Sequence, residues 1–453
     1  MNTQPTYALF SGYGWSGSLR QAWMVNHELW RHYDYFREPL HGFLLSYLGE
    51  LFESYPKGGL FIGFTSVVTC ICTTGGAAWC LAPRSCAGWV AGFAMIVSTV
   101  TIPYVGLWLN GYPLSLAALS LLLFSSTMLT LKKRRWSFYF ALLGSCFAML
   151  CDSRFIGWLP IFWTAFLFSG MIKRSKWIGI VLLLPILAPS LGHIVFKSDP
   201  AHLLSWKEKR TFQQEVAQRW VQKTEDQRMK SLCEEVSLDL FWTSEFLTTQ
   251  CSRAVLAHNI YTRLPTRTPI SPWLLCVCFL VFFIKRNHRA SSLLGLYILP
   301  LWVMASFTPI PPRYMIWVTP TIAILPALAI AHLPFARFLF VLATCALIQV
   351  KENPSQIRYI EEHGVSSQDS RSLQKIKMSD ELIFDCTPKG ISLLLLPKAA
   401  NRILQEGRRS CRLQPKSILL IDPRTPPSFY QNIKGTMLSK TPQFEIWRIS
   451  QNL

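Results

Sequence analysis

Two short polar turns interrupt long apolar runs in this chain. One is CDSRFIGWLP, with Asp152 and Arg154; the other is TPIPPRYMIWVTP, where Arg313 and Tyr314 follow a rigid Pro-rich turn. The guanidinium of Arg stays charged at any ordinary pH, and its planar fork offers paired N–H donors that match phosphate geometry. Between apolar runs such a charge is costly unless it is partnered or reaches water. Each Arg is therefore either snorkelling to headgroups or gripping an anionic ligand. A third group of polar side chains lies in HYDYFREPLHGFLLSYLGELF, residues 32–52, with Asp34 and His41. A carboxylate can act as general base if burial lifts its pKa toward neutrality. Asp34 is the first candidate and Asp152 the next, ahead of Glu28 and Glu38. The plainer reading of Asp34 is an exposed carboxylate paired with Arg31 or Arg37.

The elements that must hold these residues are mostly apolar. Of 453 residues 51% are hydrophobic and only 15% charged, against about a quarter charged in a soluble domain. Several uncharged runs approach the roughly 20 residues that cross a bilayer as helix. The pattern predicts an α-helical polytopic membrane protein of about ten spans, near residues 59–81, 86–109, 111–131, 136–151, 155–171, 177–197, 270–284, 292–307, 314–332 and 335–350. The net charge of +20 is explained by where the basic residues fall. Every second short loop is basic: Arg84; Lys132, Lys133, Arg134 and Arg135; Lys173, Arg174 and Lys176; Lys285, Arg286 and Arg289; Arg337. By the positive-inside rule these loops are cytoplasmic. The charge then reports topology, and no nucleic-acid partner is expected.

Three polar regions fall on the outer side by the same rule: residues 1–58, a helical insertion at 198–269 within the membrane domain 59–350, and residues 351–453. In the first, Leu40, Phe43, Leu44, Tyr47, Leu48, Leu51, Phe52 and Tyr55 form one apolar stripe, with His41, Ser46, Glu50 and Glu53 opposite. That is an interfacial amphipathic helix. Residues 205–232 read as a second helix, with Trp206, Phe212, Val216 and Trp220 inward, capping a cavity. In the third, DELIFDC, SILLIDP and FEIWRIS read as strands and KAANRILQEG as helix or turn, giving a small α/β domain. Cys233 with Cys251, and Cys386 with Cys411, are placed where disulfides are permitted, though free thiols fit as well. The C-x-C pairs Cys70/Cys72 and Cys276/Cys278 have no His or acidic partners, which argues against zinc; no cofactor is expected. No cleavable signal is visible, so residues 1–58 either cross as a tail or follow a first helix that this chain lacks.

Three motifs together resemble the GT-C superfamily of polyprenyl-phosphate-dependent glycosyltransferases, in the branch of protein mannosyltransferases and aminoarabinose transferases. They are the "PL" helix EPLHGFLLSYLGELF, the "R-x-x-G" turn SRFIGWLPIFW and the "RY" turn PPRYMIWVTPTIAILPALAI; a C-terminal domain ending in FEIWRIS also fits. The resemblance implies an integral protein of the bacterial inner membrane, with its soluble regions outside. It further implies membrane lipids and a lipid-linked sugar donor as partners, and transfer to an acceptor on the outer face. Arg313, Tyr314, Arg154 and His41 would bind substrate. In the family the base is an Asp near the end of a first transmembrane helix, which this chain does not show; Asp34 is the nearest substitute. Two other readings remain: a catalytically silent relative serving as assembly partner, and a transporter or flippase of a lipid-linked substrate. Against a carrier, intramembrane acids are scarce and no internal repeat is apparent.

Overall fold

The computed structural model describes residues 40–52, 55–83, 85–101, 111–132, 135–170 and 178–195, parts of 211–222, then 226–241, 243–263, 288–307 and 316–330. Beyond these it describes residues 372, 376, 381–385, 403–405, 416–421, 435–441 and 444–450. The apolar runs are helices: α1 (Leu40–Leu51), α2 (Tyr55–Leu81), α3 (Ala87–Thr101), α4 (Tyr112–Lys132), α5 (Arg135–Cys151), α6 (Leu159–Ser169) and α7 (Ile178–Val195). After the polar insertion, with α8 (Gln227–Glu234) and α9 (Gln250–His258), come α10 (His288–Phe307) and α11 (Thr319–Ile330). Pro56, Pro113, Pro160 and Pro320 each stand second in their helix, where a missing N–H costs nothing. Gly170 ends α6 in the left-handed conformation, φ 71°, as a helix C-terminus favours.

Among the described residues, Lys57–Leu81 and Tyr112–Leu131 are long and apolar enough to cross a bilayer. The remaining apolar helices are shorter, so the structure supports an apolar helical bundle without fixing the count at ten. The expected spans near 270–284 and 335–350 lie outside the described residues. The side chains are distributed as lipid requires. In α4, Ser120, Ser125, Ser126, Thr127 and Thr130 are buried, while Phe61, Phe64 and Val68 of α2 and Leu183, Leu187 and Leu191 of α7 face outward. Several buried hydroxyls donate to carbonyls one turn back, as Thr127 does to Leu123 at 2.8 Å. Thr73 donates across to Ser120 at 2.8 Å. Such side-chain bonds and small residues hold helices together where no hydrophobic force acts between them. Thus α2 and α3 meet at Gly75 and Gly88, where an added Cβ would lie 2.9 Å from the opposing carbonyl. Trp79, Trp89 and Trp136 are exposed and stand close in sequence to the basic residues 84 and 132–135, the pairing that interfacial tryptophans show in membrane proteins.

Helix α1 lies where the sequence placed it, but its two faces are used in an informative way. The side turned to the protein is mostly small and polar, around one leucine: His41, Gly42, Leu45, Ser46 and Gly49 are buried. Of the apolar stripe, Tyr47 (66%) and Leu51 (62%) are exposed, while Leu40, Phe43, Leu44, Leu48 and Phe52 are half-buried. Small residues let the backbones touch, since a Cβ on Gly58 of α2 would come within 2.9 Å of the Gly49 nitrogen. The stripe continues onto α2 through Phe52 and Phe61, whose rings are 5.6 Å apart.

The helix expected over 205–232 is interrupted. Asp226 has an extended backbone and caps α8, its Oδ1 accepting from the Met229 N–H at 3.0 Å. Trp206, Phe212, Val216 and Trp220 lie outside the described residues; Val221, Met229, Phe241, Phe246 and Val255 form a small core around a Cys233–Cys251 disulfide. At the C-terminal end, β1 (Leu382–Asp385), β2 (Ile403–Gln405), β3 (Ser417–Ile421), β4 (Gly435–Lys440) and β5 (Glu445–Ile449) form one sheet in the order β2-β1-β3-β5-β4. The first three are parallel, with Ile383 opposite both Ile403 and Ile418, and β5 runs antiparallel to β3 and β4. Every residue of the central strand SILLI is buried, as its unbroken apolar run requires. Two strands depart from expectation: β2 lies in the segment read as helix or turn, and β4 was read as no element.

Candidate functional site

Asp152 ends α5. Its extended backbone, φ −163° and ψ 118°, stops the helix, and its carboxylate caps the 3-10 turn Ser153–Trp158 by accepting from the Arg154 N–H at 3.0 Å. The same carboxylate binds the Arg154 side chain twice, Nε–H to Oδ1 at 2.8 Å and Nη2–H to Oδ2. Asp152 keeps only 7% of its side chain exposed, Arg154 34%. Both carboxylate oxygens thus serve the guanidinium, which makes Asp152 a holder of Arg154 in this arrangement. Carboxylates buried in this way tolerate charge because the partner is in place.

One face of the guanidinium is covered. Arg154 Cζ lies 5.2 Å from the ring centre of Trp317, within reach of a cation–π interaction. Trp317 is fully buried and is held edge-on by Phe155 at 5.2 Å and Trp158 at 5.7 Å; such pairs contribute roughly 0.5–1.5 kcal/mol each. Trp158 in turn donates its indole N–H to the Tyr297 carbonyl of α10 at 2.9 Å. Gly157 fits against α10 because a Cβ there would approach Pro300 to 3.3 Å. Trp317, which follows the second turn in the sequence, therefore packs directly on the first turn through Trp158 and Phe155. Neither Trp was singled out, although a signal existed: RFIGW and RYMIW both place Trp four residues after Arg.

The insertion closes over the end of α10. Ser252 Oγ–H donates to the Ser306 carbonyl at 2.8 Å and Asn259 Nδ2–H to that of Ala305 at 2.7 Å. Phe246 stacks on Phe307 with ring centres 6.0 Å apart. Polar side chains here satisfy carbonyls that a helix end leaves without partners. His41 packs against the start of α4, where a Cβ on Gly111 would lie 3.5 Å from its ring. Arg289, one of the basic-loop residues, lies over Phe168 at 5.8 Å near the opposite end of α6. Arg313, Tyr314 and Asp34 lie outside the described residues. Among the described residues, no three His, Cys, Asp or Glu side chains gather as a metal site would need.

A bundle of short and long apolar helices, the helical insertion and a terminal α/β sheet give a fold similar to that of solved structures of the GT-C kind. Over 98% of its length the chain superposes on ArnT from Cupriavidus metallidurans, an aminoarabinose transferase, covering 95% of that chain. The TM-score is 0.56 with 11% identity for ArnT bound to undecaprenyl phosphate, and 0.53 with 12% identity for the apo state. No protein-family model and no curated protein matches the sequence.

Proposed function

We propose that this protein is a multi-pass membrane glycosyltransferase that moves a sugar from a polyprenyl-phosphate donor to an acceptor on the outer face of the bacterial inner membrane. The observation that carries the reading is the Asp152–Arg154 pair stacked on Trp317. A guanidinium fixed in its plane, with a third of its side chain exposed, is built to meet an anion rather than to fill space. Undecaprenyl phosphate, bound by the similar ArnT structure, supplies an anion of the right chemistry. Arg154 and Arg313 would hold the donor phosphate and offset the charge that grows on it as the sugar–phosphate bond breaks. Asp34 would take the proton of the acceptor, with His41 and Tyr314 completing the substrate-binding side chains. Fixing donor and acceptor together supplies further rate.

Support for the outer face comes from the disulfide, which belongs to an oxidising compartment, and from the basic turns at the other end of the helices. A direct test is transfer from a radiolabelled polyprenyl-phosphate sugar in proteoliposomes. Undiminished transfer by Arg154→Ala and Arg313→Ala together would overturn the phosphate-binding role.

A further inference from the structure

We propose that Trp317 is a positioning residue for Arg154, holding the guanidinium in the plane in which it meets an anion. This rests on the reading of Arg154 as a ligand of the donor phosphate. Three observations carry it. Asp152 takes the Nε and Nη2 edge of the guanidinium, which sets the direction of the fork but leaves it able to tilt about that edge. Trp317 covers one face at 5.2 Å and removes that freedom. The Trp317 ring cannot itself turn, because Phe155 and Trp158 meet it at 80° and 84° and Trp158 is tethered to the Tyr297 carbonyl. Tyr297 lies within the helix that carries Pro300, one turn from the break that a missing N–H makes at the Leu296 carbonyl. Orientation thus passes from α10 through two indoles to a cation that neither helix carries. Held in its plane, the Arg154 guanidinium needs little further ordering when a phosphate arrives.

The test uses purified full-length protein in detergent and equilibrium binding of radiolabelled undecaprenyl phosphate. Arg154→Ala is expected to weaken binding tenfold or more. Trp317→Leu should weaken it roughly tenfold, and Trp317→Phe, which keeps a weaker aromatic face, about threefold. The decisive comparison is in the Arg154→Ala background, where Trp317→Leu should add less than about a twofold loss. A tryptophan that acts only on general packing would instead weaken binding equally in both backgrounds, and that result overturns the proposal, as does wild-type binding by Trp317→Leu. Should Trp317→Leu fail to fold, Trp317→Phe is read in both backgrounds by the same criterion. Wild-type binding by Arg154→Ala is a different outcome: it removes Arg154 from the phosphate site and takes down the functional reading itself.

Discussion

Arg154 is the residue on which the proposed chemistry turns. Replacing it by Ala should lower transfer on the order of a hundredfold, the scale seen when a preorganised donor to developing charge is lost. Arg154→Lys should recover only part, because an ammonium keeps the charge but neither the planar fork nor the stacking face. Steady-state rates in proteoliposomes check both. Asp152→Asn is expected to act through Arg154: the amide keeps the cap but loses the ion pair. Breaking a buried pair costs roughly 3–5 kcal/mol; with Arg154 partly exposed, about 2 kcal/mol is expected here, read as a lowered unfolding midpoint together with weaker undecaprenyl phosphate binding. Asp34→Asn has a different signature if Asp34 is the base. Donor binding should stay within twofold of wild type while single-turnover transfer falls on the order of a hundredfold or more. Normal transfer by that variant would send the search for the base to the other outer acids.

Among the elements, the cap invites the sharpest test. It is held to α10 by Ser252, Asn259 and Phe246 and tied internally by Cys233–Cys251 across 18 residues. Asn259→Ala leaves the Ala305 carbonyl without its donor and should cost about 1–2 kcal/mol. Removing the disulfide with paired Ser substitutions should cost roughly 3 kcal/mol. Limited proteolysis in detergent should then cut within 226–263 at lower protease concentrations, while cleavage of α2 and α4 stays unchanged. What the sequence disclosed of these elements follows physical lines. Long apolar runs were legible because hydrophobic pattern acts locally. The stripe of α1 was legible too, yet the pattern alone could not say which of its residues stay exposed, since that depends on the Gly49–Gly58 approach. Strand β2 was hidden because Ile403–Gln405 is only three residues long and gains its identity from pairing with β1. The shared Arg-x-x-x-Trp spacing was there to be read, but the contact of Trp158 with Trp317 was not, because the two stand far apart in the chain and meet only when α6, α10 and α11 pack.

At the scale of the whole molecule, the orientation governs everything else. If the cap and the C-terminal sheet are outside, Cys411 should react with an impermeant maleimide on intact cells after mild reduction, as should Cys233 and Cys251. A basic turn such as 132–135, given a single engineered cysteine, should react only once the membrane is opened. Reaction of Cys411 only after lysis would reverse the orientation and remove the outer acceptor. The disulfide gives a second record of the same history, written in mass. No Lys or Arg lies between Cys233 and Cys251, so trypsin leaves both in one peptide, Ser231–Arg253. That peptide is lighter by two hydrogens when the bridge has closed. Glutamate-directed cleavage, by contrast, cuts at Glu234, Glu235 and Glu245 and leaves the pieces joined until a reductant parts them. The ratio of light to heavy peptide in a cell extract quenched with acid would therefore report what fraction of the chains had carried the cap into an oxidising space, with no tag and no mutation.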